Sequence, residues 1–501
     1  CCPNTATEHA MMERLITDAV LTWARAYRID GFRVDLLGHH PLAQARRLRA
    51  ALDALTLPRD GVDGRAIVLY GEGWEFGEVA GDARFVQATQ ARLAGTGIGT
   101  FDDRLRDAVR GGSHLGPRSE QGWASGLWWE PNGRTNGPAP SATPSDGEPD
   151  RRPTDQHPAD QHPAERLADH RLALELADHR LALELTDRVR LGLAGNLAEV
   201  QVPCHDGVWR RGADLRYGGA PAGYTARPQE QVAYVSAHDN ETLFDALAAK
   251  LPVSTSMDDR VRMQVVALAS VLLGQGTPFL HAGSELLRSK SLDRDSYRSG
   301  DWFNAIDWTA SSTRWGVGLP PASSNPDQRE LLAELLRSIP PPQRHHLQMC
   351  RDHVLALLRV RRRSPLFGLP TADAVRQHLR FHPPGASSQP GQIVWSLHGG
   401  QRADHDLLLA LNATPQQLLT PRAELDLEPR DGRSSPAPGA SWELHPCLAA
   451  LGEPILRRAR FDDDGFHVPP RAVTVLLRHH RAGGATAGSL VSSRTPGGPG
   501  R

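Results

Sequence analysis

The stretch Tyr27–Pro41, YRIDGFRVDLLGHHP, decides how the rest of this chain is read. Ile29, Phe32 and Val34 form an apolar run broken by Gly31, the pattern of a short buried strand, and the run ends by delivering Arg33 and Asp35. Two residues apart on one strand, their side chains share a face, so the guanidinium can grip and aim the carboxylate. Ends of parallel strands are where α/β barrels keep their chemistry. Two later stretches repeat the pattern: AIVLYGEGW, residues 66–74, presents Glu72, and VAYVSAHDN, residues 232–240, presents His238 and Asp239.

Outward from this stretch, the chain alternates. Thr5 and Glu8 form a capping-box pattern, and Met11, Met12, Leu15, Ile16, Ala19, Val20, Trp23 and Tyr27 then recur at helical spacing. Helices are also expected near 42–55 and 257–273. Strand candidates lie near Phe32, Val68, Phe101, Val235 and Phe279. Strand, helix, strand with short connections is the unit of a parallel α/β sheet. After about Cys350 one helix, 354–363, gives way to short alternating runs (GQIVWSLHG, HDLLLALNA, AVTVLLRHH) separated by Pro and Gly, which read as a small antiparallel β domain.

Between Trp128 and Thr186 the composition shifts to Pro, Asp, His and Ala. DQHPA is repeated from Asp155 to Asp160, and LADHRLALE from Leu167 to Leu176. The nine-residue copy reads as helix, but nine residues turn a helix by about 900°, so the second copy faces the opposite side. His170 and His179 read as solvated bystanders rather than metal ligands. Residues 132–165 carry too little apolar surface to offset ordering and are expected to be exposed and irregular. The organisation expected is a catalytic (β/α) unit over 1–349 with a low-complexity insertion at about 130–186, a β domain over 350–482, and a disordered tail over 483–501.

Basic and acidic residues nearly balance, 57 against 58, so the charge pattern points to neither a nucleic-acid nor a membrane-surface partner. Nowhere are about 18 apolar residues consecutive, which argues against a spanning helix. The five cysteines (Cys1, Cys2, Cys204, Cys350, Cys447) show no metal spacing and assign no redox compartment. The chain starts at Cys1 with a helix about to open and no leader, which reads as an N-terminal truncation and leaves localisation open.

GFRVD, GEGW and SAHDN resemble the second, third and fourth conserved regions of the α-amylase superfamily, glycoside hydrolase family 13. Their longer contexts are similar to its pullulanase-type α-1,6-debranching branch: CCPNTATEHAMME, GFRVDLLGHH, LYGEGWEFGEV, GTFDDRLRDAVRGG, AHDNETLFD and HAGSELLRSKSLDRDSYRSGDWFN, in this order. The resemblance implies an α/β fold: the C-terminal part of a (β/α)8 TIM-type barrel, about strands four to eight, followed by a small antiparallel all-β domain. The first three strands and the family's first conserved region have no counterpart here. An open five-stranded sheet would leave an unpaired edge and part of the barrel core exposed.

Glycosidic cleavage needs one carboxylate to attack the anomeric carbon and one carboxylic acid to protonate the leaving oxygen. Asp35, gripped by Arg33, suits the nucleophile. Glu72, between two glycines with Tyr70 and Trp74 near, suits the acid, because apolar surroundings favour a protonated carboxyl. Asp239 resembles the family's third carboxylate, which grips sugar hydroxyls. By resemblance His39 and His238 contact the sugar near the cleaved bond. Trp74 and Trp302 are candidate platforms for a pyranose face, and Arg294, Asp295 and Asn304 sit on a loop that follows the last strand. The implied protein is a retaining hydrolase of α-1,6 branch linkages in pullulan, starch or glycogen-type glucans. It needs no organic cofactor, and family analogy allows a calcium ion at a site the sequence does not place. The rival reading is a catalytically impaired fragment that at most binds glucan; oligomeric state is left open.

Overall fold

The computed structural model describes residues 5–114, 116–134, 163–297, 299–323, 328–382, 389–428 and 441–480. Five parallel strands form one sheet in the order Gly31–Val34, Val68–Gly71, Gly99–Phe101, Gln231–Ala233, Thr277–Pro278. All five expected strands are present, and each neighbour in the sheet is the next of these strands along the chain. The expected Val235 strand ends at Ala233, freeing Tyr234 onward to bend into a loop. Helices Leu42–Asp53 and Met257–Leu272 lie within two residues of where periodicity puts them.

The first helix, Ala10–Tyr27, starts later than the capping-box pattern suggests. Glu8, the second member of that pattern, pairs instead with Arg84 at 3.5 Å, and Thr7 beside it donates its hydroxyl to the His39 carbonyl at 2.9 Å. A tertiary contact thus outcompetes the local cap. Among the described residues the Gly31 strand is hydrogen-bonded on one edge alone, to the Val68 strand. Beside it, the Ala10–Tyr27 helix exposes Met11, Leu15, Trp23 and Tyr27, the last two stacked with ring centroids 4.6 Å apart.

The LADHRLALE repeats lie on one long helix, Pro163–Leu193. Its first described leucines, Leu174 and Leu176, are exposed, whereas Leu183 and Leu185 are buried, so only the later turns join the core. His179 is not the solvated bystander expected: it is half-buried, its ring edge-on to Trp128 at 4.6 Å. The His170 side chain, residues 135–162 and the tail after 480 lie outside the described residues.

Helix Arg344–Arg363 begins ten residues before the apolar run that announces it, because its first turns carry the polar sequence RHHLQMCRDH. The antiparallel part follows as two sheets. The larger runs Leu379–Phe381, Gln392–Leu397, His405–Asn412, Ala472–His479, Glu443–Leu444, and the smaller Leu418–Pro421, Gly465–Val468, Arg460–Phe461. Alternation sorts its side chains: Ile393, Leu407, Leu409, Leu411, Val473 and Val475 belong to the main core, while Val394, Leu408, Ala410 and Leu476 pack on Phe466 and Val468 of the smaller sheet. The central His405–Asn412 strand is buried along its whole length.

These antiparallel sheets bury histidines in a fixed donor order. The Asp426 N–H donates to His382 Nδ1 at 3.2 Å, so His382 Nε2 carries the proton toward Ser396 Oγ at 3.1 Å, and that hydroxyl can donate to His398 Nε2 at 2.8 Å. Burial pushes His382 down to about 3 and His398 to about 4. The unfolded chain, with histidines near 6.5, therefore takes up protons first. Their contribution to stability is complete above pH 6.5 and is lost as pH falls from there toward 4, by about 1.4 kcal/mol per pH unit for each histidine. Urea midpoints followed by circular dichroism should drop steeply from pH 7 to 5, with a shallower slope in His382→Gln. An equal slope in that variant would refute this account.

Candidate active site at the strand ends

Asp35 and Glu72 stand side by side on the rim made by the C-terminal ends of the parallel strands. Val34 pairs with Gly71, so the next residues along the two strands are these acids. Arg33 bridges them, Nη1 to Asp35 Oδ1 at 2.5 Å and Nη2 to Glu72 Oε2 at 3.0 Å. The two terminal nitrogens of a guanidinium are about 2.3 Å apart, which confines the two bonded oxygens within roughly 8 Å of each other. Their surroundings differ: the Asp35 side chain is 74% exposed and that of Glu72 12%.

Glu72 is held on a second side by the Leu36 N–H at 2.9 Å. Its environment thus supplies two donors rather than the apolar surroundings the sequence suggests. Leu36 reaches it from the left-handed region, φ 44°, and the Gly38 N–H then bonds the Glu72 carbonyl at 2.7 Å. Gly38 passes so close to Trp74 that an added Cβ would overlap the Trp74 carbonyl oxygen. Trp74 is half-buried against the aromatic cluster of Tyr70, Phe101, Tyr234 and Phe279. His39 is buried beneath this turn, its ring 4.5 Å from that of Phe76 and Nδ1 4.0 Å from Glu78.

On the same rim, His238 and Asp239 occupy the loop after the Gln231 strand, with side chains 67% and 61% exposed and 3.6 Å apart. This loop is gripped from below. Glu241, buried, takes Arg118 at 3.0 Å and Arg294 at 2.8 Å. Burial works to raise its carboxyl, but Arg118, Arg294 and Arg110 outweigh it and hold Glu241 at about 2. Arg294 also reaches the Gly116 carbonyl at 3.2 Å, and Arg118 the Leu292 carbonyl at 2.7 Å. Lys290, fully buried, donates to the Asn240 carbonyl.

The loop after the Thr277 strand carries the remaining expected residues. Asp295 is half-buried, its N–H on Asp293 at 3.2 Å, and the Asn304 amide donates to the Ser296 and Gly300 carbonyls at 2.9 and 3.0 Å. These two, like Arg294, hold the loop in shape. Trp302 is 59% exposed, with the Arg314 guanidinium over its ring at 4.8 Å. Arg118, Glu241 and Lys290 are residues the sequence reading missed. The signal was available: Glu241 ends the SAHDNE run, and Lys290 lies between Arg288 and Arg294 in the segment after the last strand, directly flanked by two serines.

Calcium takes about six to eight oxygen ligands. The two described groups with metal-ligand spacing, Asp258/His345/His346 and Asp462/Asp464/His467, each include imidazole. Neither offers the all-oxygen set calcium takes.

Replacing Gly38 by alanine should cost about 2–4 kcal/mol, because a backbone contact rather than a movable side chain blocks the Cβ. A urea midpoint unchanged in Gly38→Ala would show that the turn relaxes freely.

The family model for "Alpha-1,6-glucosidases, pullulanase-type, C-terminal" matches residues 310–479. Pullulanase 1, chloroplastic, of Arabidopsis thaliana is 39% identical over 491 residues, which cover 95% of this chain and 46% of that protein. Pullulanase of Klebsiella aerogenes is 38% identical over 407 residues, 80% of this chain and 32% of that protein. The crystal structure of PulA from Klebsiella oxytoca superposes with a TM-score of 0.78 at 33% identity, covering 99% of this chain and 42% of that one. A maltotriose complex of PulA from Klebsiella pneumoniae gives the same score and identity, with 47% of that chain covered. The chain spans less than half the length of these relatives. With the GFRVD, GEGW and SAHDN residues gathered on one rim, these likenesses place the chain in the pullulanase-type α-1,6-glucosidases of the α-amylase superfamily.

Proposed function

We propose that this protein hydrolyses α-1,6-glucosidic branch linkages with retention of anomeric configuration, and that its substrates are pullulan, starch or glycogen-type glucans. The observation that carries the reading is the Arg33 bridge between Asp35 and Glu72. The two acids follow directly paired residues on adjacent parallel strands, which lie about 4.8 Å apart. That is near the separation of about 5 to 5.5 Å at which retaining pairs work. Asp35 attacks the anomeric carbon and forms a covalent glucosyl ester. Glu72 gives its proton to the departing glycosidic oxygen, then takes one from the water that cleaves the ester, which returns both groups to their starting states.

Asp239, with His238 beside it, binds sugar hydroxyls more tightly in the transition state than in the ground state. Trp74 and Trp302 offer apolar faces to the glucan, and His39 supports the turn that carries Glu72. Arg294, Asp295 and Asn304 shape the loop around the sugar. The maltotriose held by the Klebsiella pneumoniae relative is a ligand of the expected class.

In this reading the five parallel strands correspond to strands four to eight of an eight-stranded barrel. What supports this is that, among the described residues, the Gly31 strand is bonded on one edge alone and Met11, Leu15, Trp23 and Tyr27 beside it are exposed. Pullulan hydrolysis should therefore be weak in the chain alone and strong in a protein extended N-terminally through a complete barrel. In the extended protein Asp35→Asn and Glu72→Gln should each lower kcat by about a thousandfold or more, since each deletes a step that water replaces poorly. Robust reducing-sugar release by an Asp35→Asn protein would refute the mechanism.

A further inference from the structure

Between the two loops of the rim lies a buried cation that the reaction above does not use. Lys290 has none of its surface exposed. Its Nζ donates to the Asn240 carbonyl, to the His238 carbonyl at 3.4 Å and to Ser296 Oγ at 2.8 Å, so all three ammonium donors are engaged. The two carbonyls belong to the residues on either side of Asp239. Ser296 Oγ also donates to the His238 carbonyl at 2.8 Å, so that oxygen is held twice.

The anchor beneath is equally fixed. Asp245, fully buried on helix Leu243–Lys250, accepts from the Lys290 N–H at 2.7 Å and from Ser289 Oγ at 2.5 Å. Ser291 and Leu292, just after Lys290, both take positive φ, as does Asn240 at 60° on the other loop. Backbone of this kind persists only where its surroundings over-determine it. Among the described residues the ammonium bonds two carbonyls and a hydroxyl, while Asp245, Asp293 and Glu241 act on it through space. A buried charge spent on carbonyls costs desolvation that an apolar side chain would avoid, which points to geometry rather than stability as what it supplies.

We infer that Lys290 is a positioning residue for Asp239: by holding the carbonyls on either side of it, the ammonium fixes the loop that aims that carboxylate. The inference rests on the role proposed above for Asp239. It couples the two loops, because a shift of the 289–296 segment would carry the Asp239 backbone with it.

Hydrogen exchange read by mass spectrometry on the full chain tests the hold directly. Lys290→Met keeps the length of the side chain and removes its donors, so amides of residues 236–241 should exchange about tenfold faster while the Gly31 and Val68 strands keep their rates. Ser296→Ala, a milder change that spares the cation, should accelerate the same amides to a lesser degree. In the barrel-completed protein, Lys290→Met should lower kcat on pullulan about 10- to 100-fold with KM within about threefold, the signature of an interaction lost in the transition state. A general loss of folding would not produce that split. Unchanged exchange at 236–241 in both variants would overturn the inference, as would a loosened loop with kcat intact. Full kcat in Asp239→Asn would overturn the role of Asp239 and the inference with it, and exchange rates would then show that the loop contact alone survives.

Discussion

One guanidinium sets the geometry on which the site depends. Arg33 presents two parallel N–H directions in a rigid plane and uses one for Asp35 and the other for Glu72. A lysine, with a single point charge, could not fix the relative orientation of two carboxylates in this way. The bridge works only in the register that sets Val34 against Gly71. Gly71 permits that approach because an added Cβ would overlap the Val34 carbonyl oxygen and sit 2.8 Å from Leu37 Cβ. The same cation leaves its two partners in different solvents, Asp35 largely in water and Glu72 largely out of it. The roles proposed above for the two acids would draw on that asymmetry.

The other side of the rim is held by different physics. Where the Asp35 loop is fixed by close glycine contacts, the Asp239 loop is fixed by buried charge. Glu241 pairs with two arginines, Lys290 caps carbonyls, and Lys250 donates to the Glu120 carbonyl at 2.7 Å while burial draws it down to about 7. Buried ion pairs seldom add net stability over apolar residues of similar size. Their yield is direction: each charge needs a specific partner at a specific place, and a misplaced loop would leave one unpaired. The result is that His238 and Asp239 can stand more than half exposed on a loop with no regular structure and still be defined.

Much of this was legible in the sequence because the chemistry sits where strands end. The run from Ile29 to Val34, with Arg33 and Asp35 at its close, announces both strand and site, and Glu72 repeats the pattern. What escaped was whatever depends on partners distant in sequence. The Thr5 and Glu8 pattern satisfies a local capping rule, but Glu8 pairs with Arg84. His179 reads as a surface histidine until the fold brings Trp128 to it. Arg294 reads as a residue for sugar, and the sequence does not show that Glu241, 53 positions away, also bonds its guanidinium. Charged residues are expected in water by default, so a sequence gives no warning when a cluster of them is buried together.

The larger of the C-terminal antiparallel sheets shares a core with the parallel strands. The last parallel strand, Thr277–Pro278, is only two residues long and gains little from its own ladder. Just before it, the carbonyls of Leu272, Gly274 and Gly276 all accept from Arg361 on helix Arg344–Arg363, at 2.9, 2.6 and 3.0 Å. Gln275 adds a bond to the Leu366 carbonyl at 2.8 Å and accepts from the Leu369 N–H at 3.2 Å. The entry to the strand is therefore fastened to the segment that leads into the β domain, and a single apolar core runs from Leu105 through Met263 to Val475. That strand launches the loop bearing Lys290 and Arg294, and helix Arg344–Arg363 also packs on the start of that loop, with Cys350 Sγ 3.8 Å from the Ser284 carbonyl. Contacts distant from the strand ends can in this way bear on how that loop is held.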